Sequence, residues 1–402
     1  MSSSNFLSHA VNRIKESPTL AVTAKASQLR SQGVDIIGLA AGEPDFDTPD
    51  FIKQAAIEAI NSGRTKYTPV GGIPSLKQAI VEKFKFDNQL IYTIEEVVVG
   101  VGGKQCIFNL CLSILNSGDE VIIPSPYWVS YEDITLLTDA KAVTIESTIE
   151  EKFKISAEKL EEKITNKTKL IFLNSPSNPT GSVYSESELK DIANLLKKYP
   201  NIIIATDDIY EHINLSGKPF HNILMVDPSL KERCVVLNGV SKAYSMTGWR
   251  IGYAAGPKEI IKAMTKLQSQ STSNPCSISQ AAAEAALRGS HDCVTDMVRE
   301  FRVRHDYVMK HINEIEGLQC IPAEGAFYAF PYAQNAIDLL HKNKYINEPT
   351  DIALCEYLID KANVAVVPGS AFGASGYFRL SFATSLENLK EAIKRIKNAI
   401  EI

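Results

Sequence analysis

No apolar run in the 402-residue sequence approaches the roughly 18 residues that a membrane-spanning helix requires. The opening stretch, MSSSNFLSHAVNRIKES, mixes charges and lacks an apolar core of secretory-signal length. Basic excess is also missing: 42 Lys and Arg stand against 47 Asp and Glu, a net charge of -5. Nucleic-acid binders usually carry the opposite imbalance, clustered on one face, so neither a nucleic-acid nor a membrane partner is expected. The seven cysteines are scattered and form no CxxC pair, which argues against a disulfide framework or a structural zinc site. A reducing cytoplasm and no bound metal are the expectation. Internal repeats and low-complexity tracts are absent as well.

What is present is a chain rich enough in apolar residues, 45%, to bury a large core in two or three domains. EEVVVGVGG, DEVIIPSPYW, TKLIFLNSPSNPTG, NIIIATDDIY and CVVLNGVSKAYS share one design. Each is a short, continuously apolar run that breaks into a polar or Gly/Pro-rich loop. Between the first two lies KQCIFNLCLSIL, whose Cys106, Ile107, Leu110, Cys111, Ile114 and Leu115 keep one helical face apolar. Apolar strands separated by helices predict an α/β fold with a mostly parallel sheet covered on both faces. Ligands of such sheets bind beyond the carboxyl ends of the strands. Those loops are therefore where chemistry is expected.

After about residue 290 the pattern changes. HDCVTDMVREFRVRHDYVMKHINEI predicts a long amphipathic helix, and AFYAF and GYFRLSFA predict strands. Thr384 and Glu387 have capping-box spacing before a last helix, LENLKEAIKRIKNAI. The expected division is a large domain over 46–289 and a smaller α+β domain over 290–402, joined by an N-terminal segment, 1–45.

Each loop has a bland and a chemical reading. Gly100-Val101-Gly102-Gly103-Lys104-Gln105 sits between a strand and a helix, where free backbone N–H groups suit an anion. It misses the dinucleotide fingerprint at Gln105 and the P-loop pattern at Val98 and Gln105. It is either a tight turn or a phosphate site of another class. Asp207 and Asp208, with Tyr210 close behind, follow the strand IIIA. They could be a solvated pair or a helix cap; a metal is less suited, since no His or Glu cluster accompanies them. The third option is a carboxylate holding a buried cationic ring. Asn178-Pro179-Thr180-Gly181 alone is a turn, and Trp128, one of two tryptophans, alone is core. Lys242 follows a strand, with Arg250 eight residues on. It is a surface charge or a nucleophile able to form a Schiff base, beside an arginine fork for phosphate. Arg379 alternates with Phe378, Leu380 and Phe382, so it is an exposed edge cation or a carboxylate clamp facing a cleft.

Taken together and in this order, these residues resemble the class I aminotransferases of pyridoxal-phosphate fold type I. The resemblance runs from AGEPDFDTP at 41–49 to RLSFATSLENL at 379–389. SKAYSMTGWRIGY is its most specific stretch, supported by TKYTPVGGIPSLKQAI, NPTG and TDDIY. Within the family the chain is most similar to bacterial aspartate aminotransferases, some of which also accept prephenate or arogenate. The resemblance implies pyridoxal 5'-phosphate attached to Lys242, which then moves a proton at the substrate. It implies Asp207 on the ring nitrogen, Tyr210 and Asn178 on the ring oxygen, and Trp128 against the ring face. Arg250, Gly103 and Lys104 would hold the phosphate, helped by Tyr67 of a neighbouring subunit in a homodimer. Arg379 would bind the substrate α-carboxylate, with Gly42 supplying a backbone contact.

One departure stands out. The animal-type enzymes read the distal carboxylate with an arginine from the partner, and the corresponding region, LQSQSTSNP at 267–275, has none. Lys104 and Lys15 are the candidates by family position. The implied activity is aspartate:2-oxoglutarate transamination, with prephenate as a possible second substrate; donors such as aromatic amino acids, alanine or kynurenine are the alternative. A catalytically silent protein of the same fold is disfavoured, because Lys242, Asp207, Tyr210, Arg250 and Arg379 are all present. A nicotinamide oxidoreductase is disfavoured by the failed glycine pattern.

Overall fold

The structure is a computed structural model and describes residues 6–401; residues 1–5 and 402, which fall in the expected N- and C-terminal segments, lie outside it. Its centre is a seven-stranded sheet. The strands are β1 (Val97–Val101), β2 (Glu120–Ser125), β3 (Lys141–Glu146), β4 (Thr168–Asn174), β5 (Ile203–Asp207), β6 (Cys234–Gly239) and β7 (Ile251–Ala255). Their spatial order is β1-β7-β6-β5-β4-β2-β3. The β3-β2-β4-β5-β6 part is parallel, and β7 runs antiparallel between β6 and β1.

The continuous apolar runs follow from coverage on both faces. Successive residues of a strand point to opposite sides. Here Ile122, Ile171, Val236 and Tyr253 enter one core, while Val121, Leu170, Phe172, Val235 and Ala254 enter the other. Removing each such side chain from water contributes roughly 1.5–3 kcal/mol, so a polar residue on either face is disfavoured. The helix Gly103–Ile114 buries Cys106, Ile107, Leu110 and Cys111, the face expected from the sequence, and covers the second core.

The C-terminal part is built on the helix Asp292–Ile312, which buries Val294, Met297, Phe301, Val308 and Ile312 at helical spacing. Against it lies a three-stranded antiparallel sheet of β8 (Tyr328–Ala329), β9 (Val367–Pro368) and β10 (Phe378–Ser381), ordered β9-β10-β8. These strands are shorter than AFYAF and GYFRLSFA suggested. Ile37–Gly38 pairs in parallel with Val364–Ala365, tying the N-terminal stretch to this part of the chain. The last helix, Leu386–Ile400, is not started by the expected Thr384–Glu387 box. Ser385, in extended conformation, is its cap and accepts from the Asn388 N–H at 3.2 Å. Thr384 instead accepts from the Asn388 side chain. Among the described residues no helix is long and apolar enough to cross a membrane.

Candidate active site

The parallel register places Asn174 opposite Asp207, and Asp207 opposite Leu237, so β4, β5 and β6 end in one row. Above that row opens a cavity of about 360 Å³. Its wall includes Gly42, Gly103, Lys104, Trp128, Asn178, Asp207, Tyr210, Lys242, Arg250 and Arg379. Ten of the twelve residues to which the resemblance gives a role thus share one space, though they come from segments more than 300 positions apart.

Asp207 is buried at the end of β5 and accepts hydrogen bonds from the Tyr131 hydroxyl at 2.6 Å and the Ile209 N–H at 3.3 Å. Burial raises its carboxyl to about 6, against the opposing pull of Tyr131, Ile209 and the Lys242 charge. Tyr131 is held flat against Phe172, ring centroids 4.5 Å apart, and edge-on to Trp128. The neighbouring Asp208 does not line the cavity. It is buried and held by Thr206 and Asn222 at 2.7 and 2.6 Å, so the reading of 207–208 as a solvated pair is corrected. Water gives way here because both carboxylates find donors on neighbouring elements.

Lys242 sits in the turn after β6, and its Nζ donates to the Gly42 carbonyl at 2.5 Å. Burial lowers its pKa to about 8, assisted by the Arg379 and Arg250 charges and opposed by Glu43 and Asp207. Arg250 has a left-handed backbone, φ 56°, and its guanidinium packs on Gly102 at the start of the helix Gly103–Ile114. A Cβ on Gly102 would lie 2.3 Å from that guanidinium, and φ there is +81°. The left-handed φ is what requires glycine here; the guanidinium tip is free to shift. The result is two side-chain cations, Arg250 and Lys104, beside the free N–H groups of a 12-residue helix.

Arg379 is not the exposed cation of the alternative reading; it is 2% exposed. Its Nη1 donates to Asn178 Oδ1 at 2.8 Å and its Nη2 to the Ala40 carbonyl at 2.6 Å. The guanidinium stacks over Tyr328 and Phe372, at 4.5 and 4.9 Å. Its Nε is buried without an acceptor, and among the described residues no carboxylate lies within ion-pairing distance. A buried cation with no counter-ion is costly unless an anion joins it. The cavity therefore combines a phosphate-sized cationic corner, an amine of lowered basicity, a carboxylate on its floor and a carboxylate-binding arginine.

Two expected residues lie elsewhere. Tyr67 is 93% exposed and outside this cavity. Lys15 is exposed; its backbone N–H donates to Asp133 at 3.3 Å, and the nearby Ser17, Thr19 and Leu20 reach the cavity instead. The sequence reading missed Tyr131, Asn174, Asn238 and Tyr328, all of which line it. Tyr131, one helical turn after Trp128, carried a spacing signal; Tyr328 carried none, since an aromatic in a short strand reads as core.

Comparison with known proteins gives consistent names. The family described as aminotransferase class I and II matches residues 34–396. An aspartate/prephenate aminotransferase of Nitrosomonas europaea is 58% identical over 98% of this chain and 99% of its own. One from Cereibacter sphaeroides is 49% identical, over 98% of each. Among solved structures, the aspartate aminotransferase of Rhizobium meliloti aligns with a TM-score of 0.93 at 45% identity over 98% of both chains. The Thermus thermophilus aspartate aminotransferase with maleate aligns at 0.91 and 42% identity, covering 98% of this chain and 99% of that one.

Proposed function

This chain belongs to the aminotransferase class I and II family, and on that premise we propose that it is a pyridoxal-phosphate-dependent aspartate:2-oxoglutarate aminotransferase. The observation that carries the reading is Arg379, a buried cation lacking an anion, in one cavity with Lys242 and Asp207. The residues fit this cofactor. Arg250, Lys104 and the helix start at Gly103 would hold its phosphate, Asp207 its ring nitrogen, and Tyr210 and Asn178 its ring oxygen. Trp128 would flank the ring, and Lys242 would attach it. When bound, the cofactor supplies a carbonyl that condenses with amines and a conjugated ring able to accept an electron pair.

The chain's own groups supply the rest. Arg379 fixes the α-carboxylate of the amino acid in a bidentate grip, and Asn178 and the Ala40 carbonyl already hold its fork. Lys242 Nζ, kept near 8, is deprotonated in a usable fraction around neutral pH and can take the Cα proton and return it. Asp207 carries a negative charge to the cavity floor, where a protonated ring nitrogen needs one. A single carboxylate-binding site used in turn by donor and acceptor suits a ping-pong cycle, in which the first oxo acid leaves before the second arrives.

Dicarboxylate preference is supported by the cation Lys104 in the cavity wall, and by relatives named for aspartate and prephenate. A prephenate-type second activity follows from the distal carboxylate being read by a flexible lysine rather than an arginine fork. The active unit is a homodimer in this reading: Tyr67, 93% exposed in the single chain, is free to complete a neighbour's phosphate site. Sedimentation at assay concentration tests the dimer, and a monomeric active species would end that part. The substrate reading is tested by kcat/KM for aspartate, prephenate paired with glutamate, phenylalanine, alanine and kynurenine. Aspartate should exceed alanine by about tenfold, the scale of one solvent-screened charged contact. A neutral donor that outpaces aspartate overturns it.

A further inference from the structure

Tyr328 belongs to no role assigned above, yet its hydroxyl stands where three separate segments meet. In the register of β8 and β10 it lies opposite Ser381. Arg379 and Ser381 share one sheet face, so Tyr328 is the diagonal neighbour of Arg379. The guanidinium lies 4.5 Å over its ring. At the other end, the Tyr328 hydroxyl is 2.8 Å from that of Tyr210, which comes from the loop after β5. The third segment is the N-terminal loop: a Cβ on Gly42 would come within 2.9 Å of the Tyr328 oxygen. Gly42 is the residue whose carbonyl accepts from Lys242.

Packing alone does not require this hydroxyl. Tyr328 is 1% exposed, and phenylalanine would fill the same core volume without a polar atom to satisfy. What the hydroxyl adds is a bond to the one tyrosine that the proposed function puts on the cofactor ring oxygen. A tyrosine hydroxyl can donate one hydrogen bond while accepting another. If Tyr328 donates to Tyr210, the proton of Tyr210 is directed into the cavity, and its strength as a donor rises through the chain of bonds.

We infer that Tyr328 is a positioning residue with two separable actions: its ring holds the Arg379 guanidinium in plane, and its hydroxyl aims and strengthens the Tyr210 donor. The inference rests on the assignment of Arg379 and Tyr210 made above. It predicts that the two actions come apart under different substitutions. Tyr328→Phe keeps the ring and loses the hydroxyl; Tyr328→Leu loses both.

The experiment uses purified holoenzyme and two readouts besides turnover: the pH midpoint of the cofactor's visible absorbance, and the Kd for maleate. A weakened Tyr210 leaves more negative charge on the ring oxygen, so a proton beside that oxygen is held more tightly. Tyr328→Phe should therefore raise the midpoint by about 0.3–1 pH unit, with maleate affinity within about twofold of wild type. Tyr328→Leu should also weaken maleate about tenfold, the scale of a lost desolvated cation–π contact. An unmoved midpoint in Tyr328→Phe overturns the action on Tyr210. Unchanged maleate affinity in Tyr328→Leu overturns the action on Arg379. Should the leucine variant lose its native circular dichroism, Tyr328→Met, with a longer side chain, takes the second measurement. A wild-type protein without visible absorbance would instead refute the proposed function itself, which keeps the two failures distinct.

Discussion

Two groups of buried charge flank the loop after β5, and they are built on opposite plans. Behind the loop, Lys83 and Glu211 form a close ion pair, both nearly inaccessible. Asn88 and Asn238 complete it: Lys83 donates to Asn88 Oδ1 at 2.7 Å, and both amides donate to the Glu211 carboxylate, at 2.8 and 2.6 Å. Burial alone would raise Glu211, but the Lys83 and His212 charges and the Asn88 amide hold it down at about 2. In front of the loop, Lys242 and Arg379 face a cavity with no carboxylate in ion-pairing distance among the described residues. Satisfied charges hold elements together, here the helix Pro74–Asn88, the loop and β6. Unsatisfied ones await a ligand.

The largest expected effect tests the unsatisfied side. Lys242→Met should lower transamination by several powers of ten, because one group serves as both nucleophile and base. Stability should move the other way. In cofactor-free wild type the Lys242 pKa is depressed to about 8 from 10.5, so the unfolded chain binds the extra proton between those values. Wild-type stability relative to the methionine variant should then be lowest below pH 8 and recover as the pH rises toward 10.5. Thermal melts of both proteins from pH 7 to 10 measure this. A methionine variant that is less stable at pH 7 would mean that Lys242 is compensated as fully as Lys83.

The next effect tests the satisfied side. Glu211→Leu leaves the Lys83 ammonium only Asp87, 3.9 Å away, as a counter-charge and should cost about 3 kcal/mol, whereas Lys83→Met with Glu211→Leu should recover most of it. Glu211 is depressed in the fold, so its contribution is present above the ordinary pKa of 4.5 and is lost as pH falls toward 2. Acid unfolding of the double variant should begin at lower pH than that of wild type. Urea titrations give both numbers; a double variant as unstable as Glu211→Leu alone would mean that the pair does more than balance itself.

The same contrast explains what could be read from the sequence. The parallel sheet was legible because both faces of β2, β4, β5 and β6 are buried, and short β-branched apolar runs closed by Gly/Pro-rich loops favour strands over buried helices. β3 and β7 were not marked: β3 is largely uncovered at the sheet edge, and β7 is interrupted by Gly252, which passes close against Gly102 and Gly103. Lys242, Asp207 and Arg379 were legible through strand ends and a specific motif. The Lys83–Glu211 pair was not, since a lysine in PSLKQAIVEKFKFDN has the local pattern of a solvated one. Its burial depends on a residue 128 positions away. Tyr328 was hidden for the same reason. Pairings over such distances leave no local periodicity to read.

The smallest effect concerns the distal carboxylate, and it asks which lysine belongs to the unsatisfied group. Lys104 is in the cavity wall, its ammonium 5.0 Å over the Trp128 ring. Partial burial and the neighbouring Arg250 lower its pKa, with Asp133 opposing. A second anion entering the cavity would relieve that repulsion. Lys15 is held outside: its backbone is bonded to Asp133, and Arg13 beside it is anchored on Asp139 at 2.6 Å. Both cations are solvated enough that a single contact should be worth about 0.5–1.5 kcal/mol. Lys104→Ala should therefore raise the KM for aspartate about tenfold at most, with alanine changed less than about twofold. Lys15→Ala should change neither by more than about threefold, since its side chain does not line the cavity. Steady-state kinetics with aspartate, prephenate and alanine separate the cases. Equal losses for alanine and aspartate in Lys104→Ala would assign that lysine to the cofactor phosphate alone. A larger loss for the dicarboxylates in Lys15→Ala would require the segment around Ser17 to move inward over bound substrate, carrying its cation into the site.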